Sequence, residues 1–191
     1  HYLSYIANMS TNEVFLDSAD VRNNIVSLAK MIGYTPSSVR APRASVDILV
    51  NNASGTSITM NKGTVFSSTV DGSSYQYVTN EDITINPQDG IYRFSDITLY
   101  EGTPVTFKYT YDSNDIDQRF VIPSARADTS TLKVSVQTSS TDSSSATYSL
   151  ATGYSSVDGD SKVYFIEEVE DGKFRIYFGD GVTGKKLDDG N

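Results

Sequence analysis

Three groups of residues have types and spacings that could do chemistry. Gly179-Asp180-Gly181-Val182-Thr183-Gly184-Lys185-Lys186 fits G-x-x-x-x-G-K and follows a strand-like run. A phosphate loop also needs Ser or Thr after its Lys, to hold magnesium, and a helix whose amides face the phosphate. Here Lys186 takes the hydroxyl position, and Leu187-Asp188-Asp189-Gly190-Asn191 is no helix. Asp180 would place a negative charge inside the cradle, so the stretch reads as a structural glycine turn. Asp158-Gly159-Asp160, Asp112–Asp117 and Asp188-Asp189 invite a calcium loop, which needs alternating oxygen ligands and a late bidentate carboxylate. Asp112, Asn114 and Asp117 match half of that pattern and no Glu closes it, so these clusters read as turn residues. Glu167 and Glu168 are neighbours on a strand pattern, where they point to opposite faces and cannot flank one glycosidic bond.

The remaining candidates are weaker. The single His is His1, at the first position, where a catalytic dyad would have to use a frayed terminus. Serines are abundant, but no G-x-S-x-G occurs and no internal His could act as base. Tyr75 with Tyr77, and Tyr109 with Tyr111, each put two rings on one strand face. That could serve stacking, but strand tyrosines ordinarily pack the ring and wet the hydroxyl. Arg40-Ala41-Pro42-Arg43 is a dense basic spot, either a solvated linker or a contact for an acidic neighbour. The expectation is a protein that is not an enzyme, with no catalytic residue, no cofactor and no metal.

Composition narrows the classes further. The 191 residues carry 15 Lys+Arg against 24 Asp+Glu, a net charge of -9, with no Cys and no Trp. Absence of Cys removes disulfide scaffolds, thiol nucleophiles, thiolate zinc sites and iron–sulfur clusters. An acidic chain without a basic stripe is poorly suited to a phosphate backbone, so no nucleic-acid partner is expected. No apolar run approaches the length of a membrane span and no leader is visible, so no membrane insertion is expected. Ser (27) and Thr (19) are numerous, yet 13 Tyr and 8 Phe supply large side chains for a core.

These residues would have to be positioned by two kinds of element. Tyr2, Leu3, Tyr5, Ile6 and Met9 recur at helix spacing. Ser10-Thr11-Asn12-Glu13 fits a capping box opening a short helical turn over Val14–Leu16. Asp17-Ser18 can cap again. Val21, Ile25, Leu28, Ala29 and Ile32 then form one helical face, ended by Gly33 and Pro36. From about residue 43 the period becomes two, with strand-like runs at Val46–Val50, Ser57–Met60, Thr64–Ser67, Tyr75–Thr79, Asp82–Asn86, Ile91–Phe94, Asp96–Tyr100, Pro104–Tyr111, Arg119–Pro123, Thr131–Thr138 and Thr147–Leu150. Turn signals stand at Asn61-Lys62-Gly63, Asp71-Gly72, Asp89-Gly90 and Glu101-Gly102. The clearest hairpin joins Lys162–Glu170 to Lys173–Phe178 through Asp171-Gly172. The expected fold is α+β and mainly β: an N-terminal helical arm followed by an antiparallel β-sandwich or barrel-like body. The expected divisions are a helical arm over 1–40, a β-rich domain over 41–138, a Ser/Thr-rich loop over 139–145 and a β-hairpin region over 146–191. Both ends read as cuts through a longer parent chain.

Asn12-Glu13-Val14-Phe15-Leu16-Asp17-Ser18-Ala19-Asp20-Val21-Arg22 and Val26-Ser27-Leu28-Ala29-Lys30-Met31-Ile32-Gly33-Tyr34-Thr35-Pro36 resemble the N-terminal region of the baseplate J-like proteins. These are wedge subunits of contractile phage tails, and the stretches are similar to those of the T-even-type wedge proteins. Phe178-Gly179-Asp180-Gly181, with Gly184 and Leu187, resembles a second pattern of that family, a turn leading to a further strand. The resemblance implies a structural virion subunit, assembled in the host cytoplasm and located in the tail baseplate. It implies a ring around the central hub that relays the signal for sheath contraction. The implied partners are copies of itself as a dimer within the ring, other wedge subunits, and sheath and hub proteins. No catalytic residue transfers. The alternative from another class is a surface β-domain of phage or bacterium that binds glycan or a host receptor.

Overall fold

The computed structural model describes residues 2–51, 53–139, 141–153 and 156–190. Two helices, α1 (Tyr2–Asn12) and α2 (Arg22–Met31), precede eleven strands. The strands are β1 (Arg43–Val50), β2 (Ile58–Met60), β3 (Val65–Val70), β4 (Ser73–Thr79), β5 (Ile83–Ile85), β6 (Tyr92–Glu101), β7 (Phe120–Ile122), β8 (Val134–Gln137), β9 (Ser145–Leu150), β10 (Val163–Glu168) and β11 (Phe174–Phe178). The expected α+β, mainly β fold with an N-terminal helical arm is what the structure shows, and its antiparallel sheets are curled. One strand pair, β9 with β10, is parallel. The chain forms two compact units, one of residues 40–106 and one of residues 1–39 with 107–191. The second is discontinuous in sequence, so the helices share a unit with the C-terminal strands.

The unit of residues 40–106 holds a four-stranded sheet in the order β1-β6-β4-β3 and a two-stranded sheet of β2 and β5. Its core is Met60, Phe94, Ile97 and Leu99, with Val46, Ile48, Phe66, Tyr77 and Ile83 packed against them. Phe94 is at an even position and Ile97 and Leu99 are at odd ones, so a regular strand would send them to opposite faces. A bulge resolves this conflict. The β1 register runs Val46↔Ile97 and then Ile48↔Phe94, and Asp96 adopts φ 55°. The Asp47 carboxylate accepts from the Asp96 amide at 2.9 Å and holds the bulge. The two runs expected at Ile91–Phe94 and Asp96–Tyr100 are therefore one strand. Asp71-Gly72 makes the two-residue β3–β4 turn, with φ 49° and 78°, as a primed turn requires.

The other unit centres on a five-stranded sheet in the order β7-β11-β10-β9-β8. Val134, Tyr148 and Tyr164 are buried together, and Ile176 and Phe178 pack against them. Edge-to-face rings run on from Tyr148 to Phe178, Phe120 and Tyr109, with centroids 5.6, 5.7 and 5.6 Å apart. The expected hairpin forms between β10 and β11, with Asp171 and Gly172 at positive φ, and its strands are shorter than the pattern suggested. Strands β8 and β9 pair antiparallel, and β9 already begins at Ser145, the last residue of the expected loop. The strand expected over Pro104–Tyr111 does not form. Tyr109 is held there by its side chain, the hydroxyl donating to the Val121 carbonyl.

The helical arm departs from expectation in its caps. Ser10 lies inside α1, and no capping box forms. The helical turn expected over Val14–Leu16 is irregular, and Ser18 donates to the Asn12 carbonyl at 2.6 Å without capping α2. Helix α2 starts at Arg22 behind Val21, a residue with no side chain able to cap. Its buried side is Val26 and Ala29, while Val21 and Ile32, expected on that face, are exposed. The C-terminus is as the sequence indicates. Tyr34 N–H donates to Ala29 and Gly33 N–H to Lys30, with Gly33 at φ 79°, a Schellman arrangement.

Candidate interaction surface

The glycine stretch that fits a phosphate motif is closed by its own bonds. Asp180 Oδ1 accepts from the amides of Val182 and Thr183, each at 2.9 Å. These bonds, Thr183 first, hold the Asp180 carboxyl below its usual range. Gly181 N–H donates to Gly184 at 3.0 Å, Gly184 N–H to Asp158 at 2.9 Å and Lys185 N–H to Ser161 at 2.8 Å. The amides a phosphate would use are thus taken by internal acceptors. The backbone also crosses itself tightly here, since a Cβ on Gly179 would lie 2.1 Å from the Gly184 carbonyl. Leu187 is buried, and Gly190 N–H donates to the Tyr111 carbonyl at 2.8 Å.

The acidic clusters fold as turns. Asp158 Oδ1 accepts from the Ser161 hydroxyl and the Asp160 amide, and Asp112 Oδ1 from the Asn114 amide at 2.9 Å. Asp189 caps the Ser113 amide at 2.7 Å. Among the described residues no three His, Asp or Glu stand close enough to share a metal ion. Tyr77 packs into its unit's core while Tyr75 is exposed. Arg43 opens β1, and the Pro42 carbonyl accepts from Glu101 at 2.9 Å. His1 lies outside the described residues.

Two carboxylates matter in ways the sequence did not indicate. Glu13 accepts from the amides of Asp20 (3.0 Å) and Val21 (3.2 Å) and from Asn24 Nδ2 (2.7 Å). It caps the start of α2 from eight residues away, and the Asn24 bond is the largest influence lowering its pKa. Glu168, 1% exposed, receives both Nε and Nη2 of Arg22 at 2.9 Å. Glu167 pairs with Arg175 and, at 3.5 Å, with Lys30. Helix α2 is thus fastened to the end of β10 by the ion pairs of Arg22 with Glu168 and of Lys30 with Glu167. A charged residue at a core-phased strand end was the available signal, but its partner is 146 residues away.

What remains open is the arm's surface. Helix α1 buries no residue and contains no charged one. Tyr2 (76% exposed), Leu3 (81%), Tyr5, Ile6 and Met9 cover it, and Val14, Phe15 and Leu16 continue the exposed apolar run. Exposed apolar side chains grouped along one segment are the kind of surface found at contact sites between proteins. No protein-family model matches the chain. The chain is similar to the baseplate wedge protein gp6 of Enterobacteria phage T4, with 25% identity over 205 aligned positions that cover 99% of this chain. It spans 28% of the length of that curated relative, and the likeness supports a distant relationship to a baseplate wedge protein.

Proposed function

We propose that this chain is part of a structural subunit of a phage tail baseplate wedge and works by assembly, without catalysis. The observation that carries the reading is the likeness to a baseplate wedge protein along 99% of the chain. The uncharged, fully exposed α1 agrees with it, since a subunit of a ring needs apolar surface for its neighbours. On this reading the subunit belongs to a contractile tail and resides in the virion. It is assembled in the host cytoplasm, pairs with copies of itself and with other wedge subunits, and closes a ring around the hub that passes the contraction signal to the sheath. The arm over residues 1–40 supplies contacts. The β-rich region over 41–138, the loop over 139–145 and the hairpin region over 146–191 form the body.

Sedimentation velocity of the chain, alone and mixed with wedge proteins of the same phage, tests this. The expected result is a complex of fixed stoichiometry that is weakened by Tyr5→Glu on the exposed face of α1. A chain that ignores every wedge protein, or that binds specific sugars on a glycan array, overturns the reading.

A further inference from the structure

A sheet edge is a row of unpaired N–H and C=O groups, and proteins ordinarily guard it with charge, proline, bulges or short length. The four-stranded sheet ends in β1 on one side and β3 on the other. Strand β1 is guarded: it carries Arg43 and Asp47, and its ladder is broken by the bulge at Asp96. The outer strands of the other sheets, β2, β5, β7 and β8, are three or four residues long. Strand β3, Val65-Phe66-Ser67-Ser68-Thr69-Val70, has none of these protections. It runs in unbroken register with β4 over six positions, and all but Phe66 are exposed.

The direction of its free groups follows from the ladder. The Gln76 carbonyl accepts from Gly102, on the side away from β3, so the pair Ser67↔Gln76 is not hydrogen-bonded. Alternation then directs the N–H and C=O of Val65, Ser67 and Thr69 outward, centred on Ser67. The distal part of the β3–β4 hairpin is exposed on both faces, and a two-stranded ribbon is only marginally stable alone.

We infer that the free edge of β3 pairs antiparallel with β3 of a second copy of this chain, about a twofold axis at Ser67. That register forms about six backbone hydrogen bonds, with Ser67 facing Ser67, Val65 facing Thr69 and Phe66 facing Ser68. A twofold contact sets a strand against itself, so any charge near the axis would oppose its own kind. Residues 65–70 carry none, in a chain of net charge -9. Beyond the strand the same register brings Asp71 of one copy near Lys62 of the other, an attractive pairing. A foreign basic partner would instead find no acidic residue on this strand. The inference does not rest on the wedge reading.

Sedimentation velocity across a concentration series, with hydrogen exchange of the edge amides, tests it. The expected result is a mass rising toward a dimer, with exchange at Val65, Ser67 and Thr69 slowed about tenfold in the concentrated sample. Ser67→Pro removes only an outward N–H, and Thr69→Lys restores a charged edge. Both are expected to abolish the dimer while the β4-facing amides of Phe66, Ser68 and Val70 stay protected, and Tyr5→Glu on α1 is expected to leave it intact. A monomer up to about 1 mM overturns the inference. So does a dimer whose edge amides exchange as freely as in the monomer, or one that Tyr5→Glu abolishes.

Discussion

At the scale of single residues, glycine and aspartate decide the local geometry, and their costs differ by cause. A Cβ at Gly179 would collide with the backbone of Gly184 at 2.1 Å, whereas at Gly181 the nearest atom, Lys186 Cβ, is 3.9 Å away. The Gly181 penalty is therefore conformational, from φ 92°. Gly179→Ala should cost about 3 kcal/mol or more, and Gly181→Val about 1–3 kcal/mol. Thermal unfolding of the two variants measures this, and the reverse order would refute the close-approach argument. Asp142 accepts from the Ser144 hydroxyl and amide and from the Thr138 hydroxyl, Ser144 contributing most. This lowers its pKa from 3.8 to about 2. A lowered carboxyl pKa means that what Asp142 contributes to folding is fully present above about pH 4 and is lost as pH falls toward 2. Titration of the Asp142 carboxyl by NMR should show that midpoint, and loop amide exchange should quicken over the same range.

At the scale of elements, α2 has a start and a fastening that both come from outside the helix. Arg22 is 64% exposed at its side chain, so its pair with Glu168 is partly screened by water. Arg22→Ala still leaves a buried carboxylate without its partner, and a loss of about 1–2 kcal/mol is expected. Native-state hydrogen exchange should then show α2 opening while β10 and β11 stay protected. Glu13→Gln keeps the shape but loses the charge facing the Asp20 and Val21 amides, and should quicken exchange in the first turn of α2. If α2 exchanges at an unchanged rate in both variants, the caps and the ion pair are not what holds it.

At the scale of the whole molecule, each compact unit carries its own buried cluster, and the unit of residues 40–106 is continuous in sequence. Expressed alone, that segment is expected to fold, with β1, β6, β4 and β3 protected from exchange. Phe94→Ala, which empties a site 2% exposed, should destabilise it by about 3–4 kcal/mol in denaturant unfolding. Failure of the excised segment to fold would show that its core is incomplete without the rest of the chain.

The sequence by itself determined what neighbouring residues control. The Asp71-Gly72 and Asp171-Gly172 turns, the end of α2 at Gly33 and most strand positions follow from φ preference and a period of two, energies set within a few residues. The distant likeness to a baseplate wedge protein was also legible, because it resides in the order of residues along the chain. Tertiary structure decided the rest, because those energies depend on partners far along the chain. The run Asp96–Tyr100 joined Ile91–Phe94 only because a bulge let both halves face one core. Pro104–Tyr111 had strand composition but found no ladder to join. Glu13 serves the next helix instead of its own, and Glu168 is tolerated in the interior only because Arg22 meets it across 146 residues. Gly179 is required by a backbone crossing that no local pattern records. The direction of the free amides on β3 depends on where Gln76 bonds, which the pairing of three strands decides and the amino-acid order alone does not.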